Sequence, residues 1–389
     1  MRLNHDRHLA YSTNVHRGET WREMFQALQT HTLAVRDRLG AGGLFGIGLR
    51  LGHLAAADLA APNTLLEFQR WLDRNNCYVF TINGFPYGRF HGQGVKRRAY
   101  MPDWTSPDRL AYTNRLFDLL AQLLPAGIAG SVSTLPGSFK EFNPTPEARK
   151  AMRTNLWSCL EHAAQASERT GRHLHLALEP EPLCLLEVSA EVVHFFDRLR
   201  AEHPRDPRLD RHLGINYDTC HFAVEFEEPR EAIGRLVEHG INISKIHLSS
   251  ALKVRPTPEA LAELRKFSDD VYLHQVIACH ESGERTIHPD LSGLLAEAAA
   301  LPPDPSQEWR IHFHVPLHAP AAPPLDNTTE DLLGALDWLA ENPSRCPHLE
   351  METYTWEVLP PELKSRSVVE QLAAEYEWTL ARLAERGLR

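Results

Sequence analysis

Short apolar runs along the chain alternate with longer segments in which apolar residues recur at helical spacing. The runs lack the strict alternation of a half-exposed strand, which is typical of parallel strands buried on both faces. They predict strands at residues 8–14, 45–51, 77–83, 129–134, 173–179, 213–218, 243–249 and 347–354. The intervening segments predict helices at residues 21–39, 64–75, 107–124, 146–170, 190–201, 229–239, 258–267, 329–341 and 367–386. Eight strands separated by helices indicate a (β/α)₈ TIM barrel, ahead of an open doubly wound sheet.

Several helix starts carry a capping signal. Residues 20–23, 64–67 and 367–370 each match the S/T-x-x-E box. In that box the Ser or Thr side chain and the Glu side chain satisfy two backbone N–H groups that the helix leaves free. We therefore expect helices to begin just after Thr20, Thr64 and Ser367.

Two stretches interrupt the alternation. Residues 84–106 read as a long loop after strand 3, and residues 251–345 hold two further strand-like runs at 271–277 and 310–315. Ten candidates exceed the eight strands of a barrel, so we assign this pair to an insertion between strands 7 and 8, although 311–315 could itself be a barrel strand. We expect one domain over residues 1–389.

Composition narrows the classes of function. The 389 residues carry a net charge of −10, and the six cysteines form no C-x-x-C pair. An acidic chain without basic runs is a poor nucleic-acid binder, and no window has the roughly 18 apolar residues of a membrane helix. The N-terminus lacks the apolar core of a signal peptide. We expect a cytoplasmic protein with reduced thiols and a small-molecule substrate, with no nucleic-acid partner and no membrane segment.

Four strands end in residues that can bind a metal. Glu179 follows strand 5, Asp218 ends strand 6, His247 lies near the end of strand 7, and Glu352 follows the last strand. The carboxyl-terminal strand ends of a TIM barrel surround its active site. Three carboxylates and one imidazole suit a divalent ion such as Mn²⁺, Mg²⁺, Co²⁺ or Zn²⁺, with positions left open for substrate oxygens.

Nearby charged residues compete with or support these four. Glu350 lies two residues before Glu352 and Lys245 two before His247, so each is expected on the same strand face but deeper in the barrel. A buried lysine there needs a carboxylate partner, either Glu350 or Asp218. Glu181 lies beyond Pro180 and is expected behind the ligands or in the loop.

The strand ends also carry a family resemblance. The phrases L-E-P at Glu179, Y-D-x-x-H at Asp218 and His221, K-I-H at His247, and the glutamate at Glu352 occur in this order over nearly the whole chain. That order resembles the xylose-isomerase-like TIM-barrel superfamily of sugar isomerases and epimerases.

The resemblance implies a chemistry. It assigns a metal ion to Glu179, Asp218, His247 and Glu352, an acid/base role to Glu179 and Glu352, and a contact with substrate oxygens to His221. A metal that polarises a carbonyl lowers the cost of an enediolate, and two carboxylates can then remove and return a proton. We therefore expect a divalent-metal-dependent isomerase or epimerase acting on a sugar, polyol or related hydroxy-carbonyl metabolite.

Three longer phrases have a narrower resemblance. Residues 81–88, 312–316 and 352–356 are similar to the bacterial EboE family of metabolite-traffic proteins. This leaves an alternative function, a non-catalytic binding or trafficking protein that retains a metal-containing barrel pocket.

The superfamily also includes trinuclear-zinc endonucleases, which need further histidines after strands 2–4. Here strand 3 ends in Asn83, and Leu135 stands where a histidine would precede Pro-Gly. Together with the acidic charge, this argues against DNA repair.

Four further residues are candidates for substrate binding. His312 and His314 lie two apart on one face of a strand, so they suit a substrate site or a second metal site, or simple packing. Lys253 lies past a strand end within reach of an anionic substrate, and Trp356 could form an apolar wall. The aromatic and basic residues of 84–106 fit a bulky or anionic ligand, or equally the interface of a homodimer.

Overall fold

The strands of the protein form two sheets. The computed structural model describes residues 1–40, 42–91, 94–320, 322–361, 364 and 366–389. The strands in these residues are β1 (His8–Ser12), β2 (Phe45–Arg50), β3 (Cys77–Asn83), β4 (Gly130–Thr134), β5 (Leu174–Leu178), β6 (Leu213–Asp218), β7 (Asn242–Leu248), β8 (Ala251–Val254), β9 (Val276–Cys279), β10 (Arg285–His288), β11 (Glu308–His314), β12 (Leu325–Asn327) and β13 (His348–Met351).

The first sheet is a closed parallel barrel. Its strand order is β1-β13-β7-β6-β5-β4-β3-β2, and β13 closes the ring by pairing with both β7 and β1. These eight strands overlap the eight predicted from the apolar runs, and nearly every residue in them is buried. The predicted (β/α)₈ TIM barrel is confirmed.

Helices alternate with the strands along the chain. The α-helices in the described residues are α1 (Trp21–Ala27), α2 (Leu33–Arg38), α3 (His53–Leu59), α4 (Pro62–Arg74), α5 (Pro107–Leu123), α6 (Pro146–Thr170), α7 (Ser189–Glu202), α8 (Pro207–His212), α9 (Thr219–Val224), α10 (Pro229–Glu238), α11 (Pro258–Leu264), α12 (Leu291–Ala300), α13 (Thr329–Glu341) and α14 (Val368–Ala384). In α4, Leu65, Phe68 and Leu72 form the buried stripe, at the i, i+3, i+7 spacing of an amphipathic helix.

Two of the three predicted capping boxes are present. Thr20 with Glu23 and Ser367 with Glu370 exchange the expected side-chain and backbone hydrogen bonds. The box predicted at Thr64 is wrong, because α4 already begins at Pro62. Proline is favoured at a first helical position, where its missing N–H costs nothing, and it places the start before Thr64. The segment predicted as one helix over 21–39 is divided by a π-helical turn at Leu28–Thr32.

The second sheet is antiparallel and lies between β7 and β13 in the chain. Its order is β10-β9-β11-β8-β12, and its apolar residues form a cluster of their own with those of α11 and α12. The run 311–315 therefore belongs to the insertion and not to the barrel, as assigned from the sequence. The run predicted at 271–277 becomes a strand only from Val276.

The predicted insertion, 251–345, is too long at its carboxyl-terminal end. Leu332 and Leu336 of α13 share the apolar cluster of the barrel, and Gly334 lies against Pro229 at the start of α10. Helix α13 is thus part of the outer layer of the barrel. We use "the insertion" below for residues 251–327.

No helix in the described part of the chain is long and apolar enough to cross a bilayer. Each of the six cysteines is a free thiol, and five of them are buried.

Candidate metal centre and substrate cavity

The structure brings together the four side chains predicted as metal ligands. Glu179, Asp218, His247 and Glu352 come from neighbouring positions at the carboxyl-terminal ends of β5, β6, β7 and β13. One donor atom of each lies within 4.8 Å of the others, and all four side chains are buried. The arrangement follows from parallel strands, whose carboxyl ends meet at one mouth of the barrel.

The imidazole of His247 is oriented by its neighbours. Its Nδ1 lies 2.9 Å from Glu179 Oε1 and 2.7 Å from Glu352 Oε2. Its Nε2 lies 3.4 Å from Glu350 Oε2, which in turn accepts a hydrogen bond of 2.8 Å from Lys245 Nζ. With a metal ion present, an Nε2–H donated to Glu350 would leave the Nδ1 lone pair for the ion, an arrangement usual for metal-binding histidines. Glu350 is thus the partner of Lys245 that the sequence analysis sought.

The electrostatics of this cluster are those of crowded carboxylates. Burial alone disfavours the charged form of His247, but the charges of Glu352 and Glu179 outweigh it and raise its pKa well above the usual range. Burial also raises the pKa of Glu352, to about 7, with Glu179 and Asp218 adding repulsion. For Glu179, contact with His247 outweighs burial, and its pKa lies below the usual value.

The donor set fits a divalent cation. Asp218 Oδ2 is fully buried and has no hydrogen-bond partner among the described residues, although a buried carboxylate oxygen normally has one. Its other oxygen, Oδ1, accepts bonds from the backbone N–H groups of Cys220 and His221, at 2.8 and 3.1 Å. Oδ2 therefore remains available to an ion between the three carboxylates, and such an ion would offset their charge.

His221 stands beside this centre on α9. Its Nδ1 lies 2.9 Å from the carbonyl oxygen of Pro180, and its Nε2 lies 3.9 Å from Asp218 Oδ2. The side chain is buried yet lines the cavity described next. This position agrees with a group that faces a ligand bound at the centre.

A cavity lies above the centre. The insertion and the loop 84–106 meet over it, because the N–H groups of Val95 and Lys96 both donate to the carbonyl of Val271 (2.9 and 3.1 Å). Lys96 Nζ also lies 2.6 Å from Asp290 Oδ2. The cavity is lined by Asn14, Asn83, Phe85, Pro86, Phe90, Val95, Lys96, Ala99, Tyr100, Glu179, Glu181, His221, Tyr272, Leu273, His312, Glu352 and Tyr354.

Two asparagines that the sequence analysis did not place in the site support its glutamates. Asn14 donates to Glu352 Oε1. Asn83 donates to Glu350 Oε1 at 2.8 Å and to Asn14 Oδ1 at 3.1 Å. Both asparagines follow or end a barrel strand, which is the same signal that predicted the metal ligands. An uncharged amide at a strand end is a weaker sequence signal than a carboxylate or an imidazole.

Glu181 lies in the cavity wall and not behind the ligands. Its Oε1 accepts a 2.7 Å hydrogen bond from Tyr100, and its Oε2 is buried without a partner among the described residues. Burial raises the pKa of Glu181 to about 7. The side chain thus offers a carboxyl group to whatever occupies the cavity.

The four predicted substrate residues divide into two pairs. His312 lines the cavity, and His314 lies beside it, with its Nδ1 2.8 Å from the carbonyl oxygen of Glu352. Lys253 lies on the insertion sheet, 3.3 Å from Asp326, and Trp356 packs between the apolar clusters of the barrel and the insertion. Neither Lys253 nor Trp356 lines the cavity.

Comparisons with known proteins support an assignment of the fold. No family model and no curated protein matches the chain, so the narrower EboE resemblance stays a prediction. Among solved structures, a xylose isomerase-like TIM barrel protein from Mycobacterium smegmatis in complex with magnesium has 13% identity and a TM-score of 0.51, covering 99% of both chains. An L-ribulose 3-epimerase has 13% identity and a TM-score of 0.50, covering 98% of this chain and 95% of its own. The IOLI protein with a bound zinc atom has 11% identity and a TM-score of 0.50, covering 97% and 98%. The chain therefore has the fold of the xylose isomerase-like TIM barrels.

Proposed function

We propose that the protein is a divalent-metal-dependent isomerase or epimerase of a sugar, a polyol or a related hydroxy-carbonyl metabolite. The observation that carries the proposal is the cluster of Glu179, Asp218, His247 and Glu352, of which Glu179 and Glu352 line the cavity. Structures with the same fold include an epimerase and two proteins with bound metal, which agrees with this assignment.

The residues of the candidate centre would have different roles in the proton transfer. A divalent ion held by the four ligands would supply a Lewis acid that polarises the substrate carbonyl. Glu179 and Glu352 come from strands separated by two others in the barrel, so they approach a bound molecule from different sides. One carboxylate would remove a proton from the carbon beside the carbonyl, and the other would return it. Asn14 holds Glu352 in place for this transfer.

The surroundings would hold the substrate and exclude water. His221 and Glu181 present polar groups to the cavity, suited to the hydroxyl groups of a polyhydroxylated molecule. The described residues of the loop 84–106 and of the insertion both contribute to the cavity wall, which would limit the access of solvent to the reacting carbon.

The EboE-type alternative has one observation in its favour. The three phrases that resemble that family contribute residues to the same cavity, among them Phe85, His312 and Tyr354. A protein that only binds or carries a metabolite would also need this wall. Turnover therefore has to be measured directly.

Exchange of substrate hydrogen with solvent deuterium tests the proposal. We expect the metal-loaded protein to exchange the hydrogen beside the carbonyl of at least one member of a panel of aldoses and ketoses, observed by NMR. Glu179→Gln and Glu352→Gln should each slow exchange by at least about 100-fold, because each removes an acid/base group.

Glu357→Gln is the matched control, since Glu357 lies outside the cavity lining and pairs with Arg17. Full exchange in either cavity variant would overturn the proposal. Saturable binding of a panel member without any exchange would favour the carrier function.

A further inference from the structure

Three buried histidines face one another beside Asp218. His221 comes from the barrel on α9, whereas His312 and His314 come from the insertion on β11. The ring centre of His221 lies 4.6 Å from that of His312 and 5.6 Å from that of His314. The insertion thus contributes two imidazoles to the edge of the proposed metal centre.

Each of the three imidazoles is held in the same tautomer. The Nδ1 atom lies 2.9 Å from Pro180 O in His221, 2.8 Å from Gln275 Oε1 in His312 and 2.8 Å from Glu352 O in His314. An oxygen of this kind can only accept, so Nδ1 carries a hydrogen, and in the neutral imidazole that binds a metal Nε2 presents its lone pair.

The orientation of the Gln275 amide is itself fixed. Its Nε2 donates to the carbonyl oxygen of Pro182 at 3.0 Å and to Tyr100 at 2.9 Å. A flipped amide would bring two oxygens together at Pro182, so Oε1 faces His312.

Donor atoms of these residues lie close together. One donor atom each from Asp218, His221 and His314 lies within 4.8 Å of the other two, and Cys220, His312 and His314 form an adjoining group of the same kind. His314 Nε2 is fully buried and has no hydrogen-bond partner among the described residues. A buried ring nitrogen without a partner is costly unless something binds it.

Asp218 connects this group with the first centre. Its partnerless Oδ2 lies 3.5 Å from His247 Nδ1 and 3.9 Å from His221 Nε2. Asp218 Oδ2 therefore lies between two sets of donor atoms. Its distance to each set is one that two ligands of the same ion can have.

We propose a second metal site formed by Asp218, His221 and His314, with Asp218 shared between the two ions. It rests on the proposed function to the extent that the first ion occupies the neighbouring four-residue centre. Two imidazoles and one carboxylate favour Zn²⁺, whereas three carboxylates and one imidazole suit the harder Mn²⁺ or Mg²⁺. The site assigns a role to the insertion, because His314 completes a centre that the barrel alone leaves with two ligands.

Metal stoichiometry tests the second site. The protein is stripped of metal with a chelator and loaded with Mn²⁺ and then with Zn²⁺. It is then passed over a desalting column, and its bound metals are measured by elemental mass spectrometry. We expect one Mn and one Zn per chain. His314→Gln should retain Mn and lose Zn, and Glu179→Gln should lose Mn and retain Zn.

His288→Gln is the matched control, since His288 lies on β10 of the same insertion sheet, away from the cavity, and it should bind both ions. Replacing Zn²⁺ by Co²⁺ gives a second measurement, because the visible absorption of Co²⁺ at an imidazole-containing site should be lost in His221→Gln as well as in His314→Gln. The second measurement also covers the case in which one variant does not fold.

The outcomes separate the two proposals. One Mn and no Zn in the wild-type protein, or two ions retained in His314→Gln, would overturn the second site and leave the proposed function standing. The absence of any bound ion in the wild-type protein would overturn both.

Discussion

The two ends of the barrel both contain buried histidines, but their surroundings are opposite. At the mouth, His247 and His221 lie among carboxylates, and although burial opposes the charged form, these charges raise both pKa values. At the other end, burial lowers the pKa of His8 to about 4 and that of His175 to about 3. The pKa of His348 is also lowered, by burial and by the neighbouring histidines.

The same strands supply both environments. On β5, His175 lies at one end and Glu179 follows at the other, and on β13 His348 and Glu352 have the same separation of four residues. Positions two apart face the same side of a strand, so each strand carries an uncharged layer and a charged layer along one face. The ion pair of Lys245 with Glu350 lies between the two layers. On the barrel strands, depth in the barrel, and not residue type, thus decides in which direction the pKa of a histidine is shifted.

Removing the positive charge of Lys245, between the two layers, should have the largest effect on the free energy of unfolding. Lys245 and Glu350 are both fully buried and 2.8 Å apart. Lys245→Met leaves Glu350 without its cation, so we expect a loss of about 3–5 kcal/mol in the free energy of unfolding, measured by urea denaturation.

The double variant Lys245→Met/Glu350→Met is the control, because it removes both charges. It should recover most of the stability, although His247 loses its contact with Glu350. A double variant as unstable as the single one would show that packing, and not the unpaired charge, governs this layer.

An intermediate effect is expected for the uncharged layer. The folded pKa of His175, about 3, lies below its unfolded value near 6.5. The unfolded chain therefore binds the proton more readily, and the contribution of His175 to stability is complete above pH 6.5 and lost as the pH falls below it. Between pH 6.5 and 4.5 the free energy of unfolding should fall less in His175→Gln than in the wild-type protein, by up to about 2–3 kcal/mol.

The measurement is thermal unfolding at a series of pH values, with His173→Gln as the control. His173 is exposed and two residues away on the same segment. The wild-type protein and the control should lose stability in parallel on acidification. If His175→Gln loses as much, the uncharged layer does not govern the acid sensitivity.

The smallest effect is expected outside both layers. Lys253 and Asp326 form a partly exposed ion pair on the insertion sheet. Lys253→Ala should change the free energy of unfolding by about 0.5 kcal/mol or less and leave the rate of deuterium exchange and its KM unchanged. A large rise in KM would restore the substrate role suggested by the sequence.

Local patterns were enough for the barrel and for the four-residue centre. Apolar runs between amphipathic helices gave all eight barrel strands, because strands buried on both faces must be apolar along their whole length. Glu179, Asp218, His247 and Glu352 could then be grouped by their place after or near the end of a strand. The boundary errors came from neighbouring residues, such as Pro62, that moved a helix start.

The insertion could be located from its length but not interpreted. Its run at 311–315 was correctly separated from the barrel, whereas α13 was wrongly included because one amphipathic helix looks like another in sequence. The position of Lys253, away from the cavity, depends on the pairing of β8 with β11 and β12. Such pairings join residues far apart in the chain, and no local pattern encodes them.

The sequence by itself determined the barrel, its order of strands and the candidate ligands at the strand ends, because repeated local patterns fix all three. Only the tertiary structure decided which imidazoles share a space with Asp218, which tautomer each adopts, and that Asn14, Glu181 and Tyr100 enclose the cavity. These features depend on contacts between the barrel mouth, the loop 84–106 and the insertion. The burial and charge of a residue at such a contact depend on its neighbours in space. Those neighbours are distant in the chain, so no local sequence pattern identifies them.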